Sequence, residues 1–553
     1  MKMTGAKIII ECLLEQGVDI IFGYPGGQIM PLYDALYDYT EDGRIRHILT
    51  SHEQGATHAA DGYARSTGKV GVCFATSGPG AANTVTGIAT ANIDSSPIIV
   101  ITGQVPIASI GKDAFQEIDI VGVTLPIVKH SFSCRSIEQL ADAVRQAFRI
   151  AISERPGPVL IDVPKDLMLE KTDYIKKEPV EKRPTPVVDP EKLAEFADLI
   201  NKAKKPVIYA GGGVTISNSS AELTELAEKN QIPVATTLMS LGNFNRRSPL
   251  SLGMVGMHGE RHANLAFDDS DLLISIGARF SDRVTGNPDT FAKRAKVIQI
   301  DIDRSEVGKN IGADHMIIGD VNDVLKELIP MIEKNDRTDW KEKIDNWKTD
   351  SPNQSDVFDH DRIFEIVNDE LGDDVIVATD VGQHQMWTAQ RWPFTKPRKM
   401  ITSGGLGTMG FGLGAAIGSK FANPDERVIL FSGDGSFRMN CNELMTVAAQ
   451  NLPIIVFVLK NNTLGMVRQW QKLFFNKRYS ATDLPDIVDY GKLCSAFGLN
   501  GWEVDNEKDL RKAIKEAVDS NKGAVIACDI YIDENVWPIV PPGDSITNQV
   551  MEE

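Results

Sequence analysis

Apolar residues recur along this chain in short runs, each followed by a Gly- or Asp-bearing turn and then a stretch of helical periodicity. That alternation predicts strand–helix–strand units and parallel sheets, an α/β class of doubly wound domains. The clearest unit is 427–462, RVILFSGDGSFRMNCNELMTVAAQNLPIIVFVLKNN. Residues 428–431 read as a buried strand and Gly433-Asp434-Gly435 as a turn. Helix follows to about 451, then a second strand, 454–459, ending at Asn461-Asn462. A right-handed crossover of this length makes the strands parallel, so their carboxyl ends lie side by side. Asp434 and Asn461 then converge in the crevice where open α/β sheets bind ligands. One carboxylate and one amide oxygen suit a hard cation such as Mg²⁺, which keeps places for water and phosphate oxygens. Alone, Gly-Asp-Gly reads as a plain strand-to-helix turn. Its spacing from the Asn pair favours a site.

A second unit occupies 70–102: strand 70–76, turn Ser77-Gly78-Pro79-Gly80, helix 81–92 and strand 97–102. Upstream, Phe22-Gly23-Tyr24-Pro25-Gly26-Gly27 is a strand exit into a loop that lets backbone approach a ligand. His52-Glu53-Gln54-Gly55 opens a helix over 52–65. By itself Glu53 reads as a solvated first-turn carboxylate favoured by the helix dipole. Phe115 and Gln116 fall in a loop after the second strand. The middle of the chain predicts strands at 206–209, 234–236, 272–276 and 296–300. Its Gly211-Gly212-Gly213 serves equally as a phosphate loop or a tight turn, since Ile216 spoils the dinucleotide fingerprint.

Two charged, Pro-bearing stretches without periodicity, 170–190 and 335–355, read as solvated connections. They divide the 553 residues into 1–168, 190–334 and 358–535, with a tail 536–553. Each of the three blocks is long enough for its own core. A hydrophobic content of 42% and a charged content of 24% are those of a soluble globular protein, and a net charge of −18 argues against binding nucleic acid. The six cysteines are scattered without a CxxC and read as free thiols. No stretch is apolar for long enough to span a membrane, and the start, MKMTGAKIIIECLLEQG, lacks a signal-peptide layout. A cytoplasmic protein is expected.

The GDG followed by NN resembles the diphosphate–magnesium motif of thiamine diphosphate (ThDP) enzymes. Nearly the whole chain resembles the catalytic subunit of acetohydroxyacid synthase, also called acetolactate synthase. The matching segments are, in order, FGYPGG, HEQGA, TSGPGAAN, GQVP, AFQE, RPGPVLIDVPKD, LGMVGMHG, GARFSDRVTG, ATDVGQHQMW, TSGGLGTMGFGLGAAIG, GDGSFRMN, NNTLGMVRQWQ and VWPIVPPG. The resemblance implies the three-domain architecture of pyruvate oxidase and pyruvate decarboxylase. It implies ThDP, Mg²⁺ and FAD as cofactors, with the ThDP site shared between two subunits of a homodimer or tetramer, and a regulatory small subunit as partner. The implied reaction decarboxylates pyruvate and joins the two-carbon unit to a second 2-ketoacid. That acceptor is pyruvate or 2-oxobutyrate, at the start of branched-chain amino-acid synthesis.

Residue by residue, Glu53 matches the glutamate that hydrogen-bonds the pyrimidine and promotes loss of the reacting proton. Asp434, Asn461 and the carbonyl of Thr463 match the metal ligands. Gln383 and His384 match diphosphate contacts, with Gly433, Gly435, Ser436 and Met466 around them, and Met409 matches the wedge that bends the cofactor. Arg279 matches the arginine that favours the second ketoacid's carboxylate, and Trp470 with Met466 matches the acceptor wall. Gly27, Phe115, Gln116 and Lys165 correspond to residues near the reacting centre. Flavin contacts match at Arg155, Gly211, Gly212, Thr236, Leu238, Met257, His258, Arg279, Asp301 and Asp320. The chain departs from the family at Ser281, where an aspartate is commoner beside Arg279. Catabolic acetolactate synthase, pyruvate oxidase or decarboxylase, and glyoxylate carboligase are same-fold alternatives. Glu53 argues against glyoxylate carboligase, and RFSDRVTG against the flavin-free catabolic type. A non-catalytic scaffold is the alternative from another class, and intact Glu53, Asp434 and Asn461 argue against it.

Overall fold

The computed structural model describes residues 2–348 and 357–551. Three six-stranded parallel sheets carry the fold. The first has the strand order Arg46–Leu49, Ile20–Gly23, Gly71–Ala75, Ile98–Gln104, Val159–Pro164, His130–Ser133. The second runs Ser251–Met254, Val234–Thr236, Pro206–Ala210, Leu272–Ile276, Lys296–Asp301, His315–Ile318. The third runs Met400–Ile401, Ile376–Thr379, Val428–Gly433, Ile454–Lys460, Ala524–Asp529, Asn500–Val504. The central strands are continuous apolar runs because helices cover both faces. In the third sheet Val428 pairs with Ile454 and Gly433 with Leu459, so both strands end together, as the crossover requires.

The turn expected at 77–80 is shorter in the fold, since a helix already starts at Pro79, where a missing N–H is harmless. In the second sheet two strands, Ser251–Met254 and His315–Ile318, were not legible. Both are four-residue edge strands, and Gly253 or His315 interrupts their apolar run. Within 170–190, Lys171–Asp173 pairs antiparallel with Lys2–Thr4. The stretch 335–355 is not a bare connection: it contains the helix Thr338–Asp345, whose buried Trp340 donates its indole N–H to Pro206 O at 3.2 Å. The remainder of that stretch, from 349 onward, lies outside the described residues. Residues 536–551 turn back over the second sheet, where Asn264 Nδ2 donates to Ile546 O at 3.0 Å and Val540 N to Met257 O at 2.9 Å.

The first and third sheets share one hydrophobic core running from Phe22 and Val100 to Leu430 and Val456. At its centre the helix Glu53–Thr67 lies against the helix Gly412–Ala422. Small residues recur on the facing sides (Gly55, Ala59, Gly62; Gly414, Ala415, Gly418), so the backbones meet directly. A Cβ on Gly418 would sit 1.8 Å from Ala59 O, and one on Gly62 2.1 Å from Ala415 O. A buried ion triad adds direction: Arg65 reaches Asp61 at 2.7 Å and Asp94 at 3.1 Å and donates to Thr402 O at 2.9 Å. Asp94 also accepts Gly404 N at 2.9 Å and Gly405 N at 2.8 Å, tying down the loop that leads to Met409. Removing one member of such a buried pair costs roughly 3–5 kcal/mol, because the other charge is left dry and unpaired. Gly418→Ala is expected to force the two helices apart and destabilise the fold by about 1–3 kcal/mol, the usual scale of overpacking. The measurement is the thermal unfolding midpoint, and an unchanged midpoint would show that the contact yields freely.

Candidate active site

One cluster gathers where the third sheet's central strands end. Asp434 opens the helix Asp434–Asn440 and is buried. Its Oδ2 accepts the backbone N–H of Asn462 at 2.8 Å, and its Oδ1 accepts that of Gly435 at 3.0 Å. Asn462 takes a positive φ of 54°, which asparagine tolerates, and this turns the strand exit back toward Asp434. Asn461 Nδ2 donates to Gln383 Oε1 at 3.2 Å, and its Oδ1 accepts Thr463 N at 3.2 Å. A Cβ on Gly465 would sit 1.8 Å from Gln383 Oε1, so the amide needs a glycine there. Ser436 Oγ donates to Val381 O at 3.0 Å, and Met409 Cε lies 3.8 Å from where a Cβ on Gly435 would stand. Asp380 holds the Met409 loop by accepting Gly410 N at 2.7 Å and Gly412 N at 3.2 Å.

The electrostatics follow from dryness. Burial pushes the Asp434 carboxyl up to about 6, which its backbone donors only partly offset. Burial also pushes His384 down to about 3, so its imidazole is neutral. His384 Nε2 is buried without a hydrogen-bond partner in the protein. A cation beside Asp434 would keep it ionised, and an anionic group would engage both helix starts and the orphaned imidazole nitrogen. Among the described residues no three His, Cys, Asp or Glu side chains gather as a metal site. The carboxylate of Asp434, the amide of Asn461 and the backbone carbonyl of Thr463 could instead offer an all-oxygen set of the kind Mg²⁺ accepts.

A second cluster lies at the strand ends of the first sheet. Glu53 is the first residue of its helix, and its Oε2 accepts Asn83 Nδ2 at 2.9 Å. Its Oε1 lies 3.1 Å from where a Cβ on Gly80 would be. Lys165 Nζ donates to Gly27 O at 3.0 Å. Gln116 holds a positive φ of 61° against Gly78, and Phe115 is 84% exposed. Among the described residues the Glu53 carboxylate is hydrogen-bonded by Asn83 of the first block, and the Asp434 carboxylate by Gly435 and Asn462 of the third. Among the described residues no hydrogen bond joins the two clusters within one chain.

The third feature is a cavity of about 2140 Å³ between the sheets. Arg155, Gly211, Gly212, Leu238, Met257, His258, Arg279, Asp301 and Asp320 all line it, with Met466 and Trp470. It reaches Gly382, the neighbour of Gln383. Thr236 does not line it: its hydroxyl turns back to Gly253 O at 3.4 Å, and Thr237 lines the cavity instead. Alternation along a strand puts only one of two adjacent threonines on a given face. Thr237 Oγ1 and Ser96 Oγ are buried in this wall without partners, as a polar ligand would leave them. Gly211 is required by packing, since a Cβ would lie 2.2 Å from Gly277 O. Arg155 is not a free loop arginine, because it pairs with Glu306 at 2.8 Å. The Arg283 guanidinium stands 5.8 Å over the Trp470 ring, while the Arg279 side chain has no hydrogen-bond or ion-pair partner among the described residues.

Known proteins place this arrangement. Family models described as the thiamine pyrophosphate enzyme N-terminal TPP binding domain, central domain and C-terminal TPP binding domain match residues 3–123, 193–328 and 380–528. The acetolactate synthase large subunit of Parasynechococcus marenigrum is 47% identical over 99% of this chain and 91% of its own. The acetolactate synthase isozyme 1 large subunit of Escherichia coli is 46% identical over 100% and 98%. The probable acetolactate synthase large subunit of Methanococcus aeolicus is 44% identical over 99% and 95%. This chain belongs to the acetolactate synthase large-subunit family.

Within that family's three-sheet frame, several site residues escaped the sequence. Asn83 and Gln469 are ordinary polar helix residues until the fold brings them inward. Gln469 is buried and brackets the backbone of Val536 with two 2.9 Å hydrogen bonds. Gln383 Nε2 donates to Glu534 O at 2.7 Å, so residues 534–536 hold Gln383 in place. That segment is in turn held by His360, whose Nδ1 lies 2.6 Å from Glu534 and whose Nε2 lies 3.1 Å from Asp361. Burial pulls His360 down, but the hydrogen bonds to Asp361 and Glu534 hold it up at about 9. A raised histidine stabilises fully below its ordinary value of 6.5 and loses that contribution as pH rises through about 9. Wild type is therefore expected to lose thermal stability over that window relative to His360→Gln. Parallel curves for the two proteins would discard the charged clamp.

Proposed function

We propose that this chain is the catalytic subunit of an acetolactate synthase. It decarboxylates pyruvate and joins the two-carbon unit to pyruvate, giving 2-acetolactate, or to 2-oxobutyrate, giving 2-aceto-2-hydroxybutyrate. The observation that carries the reading is the unpaired Arg279 guanidinium, which lines the same cavity as Trp470 and Met466, a cavity that reaches Gly382 beside Gln383. A lone guanidinium is the group that takes a carboxylate, and an apolar wall beside it rewards one extra methylene by about 10- to 200-fold. A simple decarboxylase has no second ketoacid to hold.

Thiamine diphosphate, when bound, supplies the electron sink for the carbon that loses CO₂. The chain's own groups do the rest. Asp434, Asn461 and the Thr463 carbonyl would hold Mg²⁺. Gln383, His384, Gly433, Gly435 and Ser436 would meet the diphosphate, with Met409 filling the bend. Glu53 would hold a proton opposite the pyrimidine, in a setting where Asn83 orients its carboxylate. Lys165, Gln116, Phe115 and Gly27 would rim the reacting centre, and the flavin would occupy the cavity walled by Arg155, Gly212 and Asp320.

Because the Glu53 and Asp434 clusters stay apart in one chain, the complete site would form between two copies. Exposed apolar side chains beside both clusters support this: Phe115 on one side, and Met439 and Met445 on the other. The assembly is then a homodimer or a dimer of dimers, its three domains divided at 1–168, 190–334 and 358–535. The relatives' designation as large subunits supports a smaller regulatory partner. Six free cysteines, five of them buried, and the lack of any described helix long and apolar enough to cross a membrane support a cytoplasmic site of action.

Purified protein supplied with ThDP, Mg²⁺, FAD, pyruvate and 2-oxobutyrate is expected to form both acetohydroxyacids, with acetohydroxybutyrate in excess. Acetolactate alone would point to the catabolic type, and acetaldehyde or acetate would reject carboligation. In Asp434→Ala, ThDP affinity should no longer respond to Mg²⁺, as titration calorimetry with and without the metal would show. An unchanged metal dependence would remove Asp434 from the ligand set.

A further inference from the structure

The site described above leaves one buried carboxylate without a role. Glu443 closes the turn Cys441–Glu443, nine residues beyond Asp434 in the same segment, and is 0% exposed. A carboxylate this dry must collect donors or surrender its charge. Its donors come from the other half of the molecule. Ser51 N donates to both oxygens at 3.1 Å, and His52 N donates to Oε1 at 3.0 Å. On its own side only Thr446 contributes, with its hydroxyl 2.6 Å from Oε2. Beside them Ser51 Oγ donates to Asn442 O at 2.9 Å.

Ser51 and His52 are the two residues before Glu53. His52 is the N-cap of the Glu53 helix, its Nδ1 accepting Gln54 N at 3.0 Å. The backbone entering that helix is thus pinned from within by His52 and from across the sheet boundary by Glu443. The helix is shaped for this approach: a Cβ on Gly55 would lie 2.1 Å from Glu443 Oε1. Glu53 projects from the first turn, where the direction of the side chain follows directly from the path of the two preceding residues.

We propose that Glu443 is a positioning residue for Glu53, setting the direction of the catalytic carboxylate through the backbone of Ser51 and His52 without touching cofactor or substrate. The proposal rests on the reading of Glu53 given under the proposed function. A plain adhesive role between the two sheets would weaken the fold but act equally whether or not residue 53 is a glutamate. A positioning role vanishes when Glu53 is replaced.

The test uses Glu443→Gln, Glu53→Gln and the double variant. Glu443→Gln keeps the shape but turns an acceptor oxygen into a donor facing backbone N–H groups. In the cofactor-free protein, amide hydrogen exchange over residues 51–56 should accelerate. In the holoenzyme, exchange of the reacting C–H proton of bound thiamine diphosphate should slow by about 10- to 100-fold, the scale of a misplaced catalytic group. The affinity for thiamine diphosphate with Mg²⁺ should stay within about twofold, since sites without shared partners act independently. In the Glu53→Gln background the second substitution should add no further loss. An equal loss in both backgrounds, or unchanged amide exchange over 51–56, would overturn the proposal. Normal proton exchange in Glu53→Gln alone would instead overturn the Glu53 reading, whatever Glu443 does to the amides. Should Glu443→Gln fail to fold, Thr446→Val, which withdraws one hydroxyl from Oε2, carries the same comparison with the same expected sign.

Discussion

The backbone-to-backbone contact of the helices Glu53–Thr67 and Gly412–Ala422 is the constraint on which the rest of this structure depends. Where Gly62 and Gly418 face carbonyl oxygens of the opposite helix, no side chain intervenes, so neither helix can slide or rotate without a clash. A contact of this kind supplies dispersion and excludes water over its whole length while leaving little freedom of angle. It therefore sets the first sheet against the third. The start of the Gly412 helix, which follows the Met409 loop, packs against the first turns of the Glu53 helix, where a Cβ on Gly414 would sit 2.9 Å from Gly55 O. The Arg65 triad reinforces it, because a buried guanidinium satisfied by Asp61, Asp94 and Thr402 has one acceptable position.

Dryness is the second organising condition. The third-sheet cluster combines a carboxylate raised by burial with an imidazole held neutral by burial, both at helix starts. A cation with an anionic diphosphate would keep the carboxylate ionised and give the imidazole nitrogen a partner. The cavity wall repeats the theme in neutral form, with Thr237 and Ser96 hydroxyls lacking partners. Such groups are costly to bury unpaired, and a polar ligand in the cavity would offset that cost.

Much of this was legible from residue order. The unit 427–462 keeps the strand–helix–strand order as read, because a single crossover contains both strands, but strand passes directly into helix at Asp434 and a turn at Cys441–Glu443 divides that helix. The helix at Glu53, two strands of the first sheet (Gly71–Ala75, Ile98–Gln104) and the four inner strands of the second also appear where periodicity puts them. The failures are instructive. Ser251–Met254 and His315–Ile318 are edge strands whose partners, rather than their own composition, make them strands. The helix at 338–345 looked like a solvated connection because only Trp340 and Ile344 are buried, with charges on every other face. Thr236 and Thr237 differ only by which side of a strand each occupies, and a one-residue choice of face depends on the sheet.

By itself, then, the sequence determined the α/β class, the helices and strands flanking the sites, and the side-by-side strand ends that carry Asp434 and Asn461. Each of these is settled by short-range periodicity or by one crossover, where chain connectivity leaves few alternatives. Only the tertiary structure decided which distant residues meet: Gln383 with Asn461, Arg279 with Trp470 in one cavity, and Glu443 with the backbone before Glu53. Those meetings span from tens to hundreds of residues, so no local pattern encodes them. They arise from how the three sheets and their helices pack, and the Glu443 contact in particular needs a glycine at 55, where a Cβ would lie 2.1 Å from its oxygen.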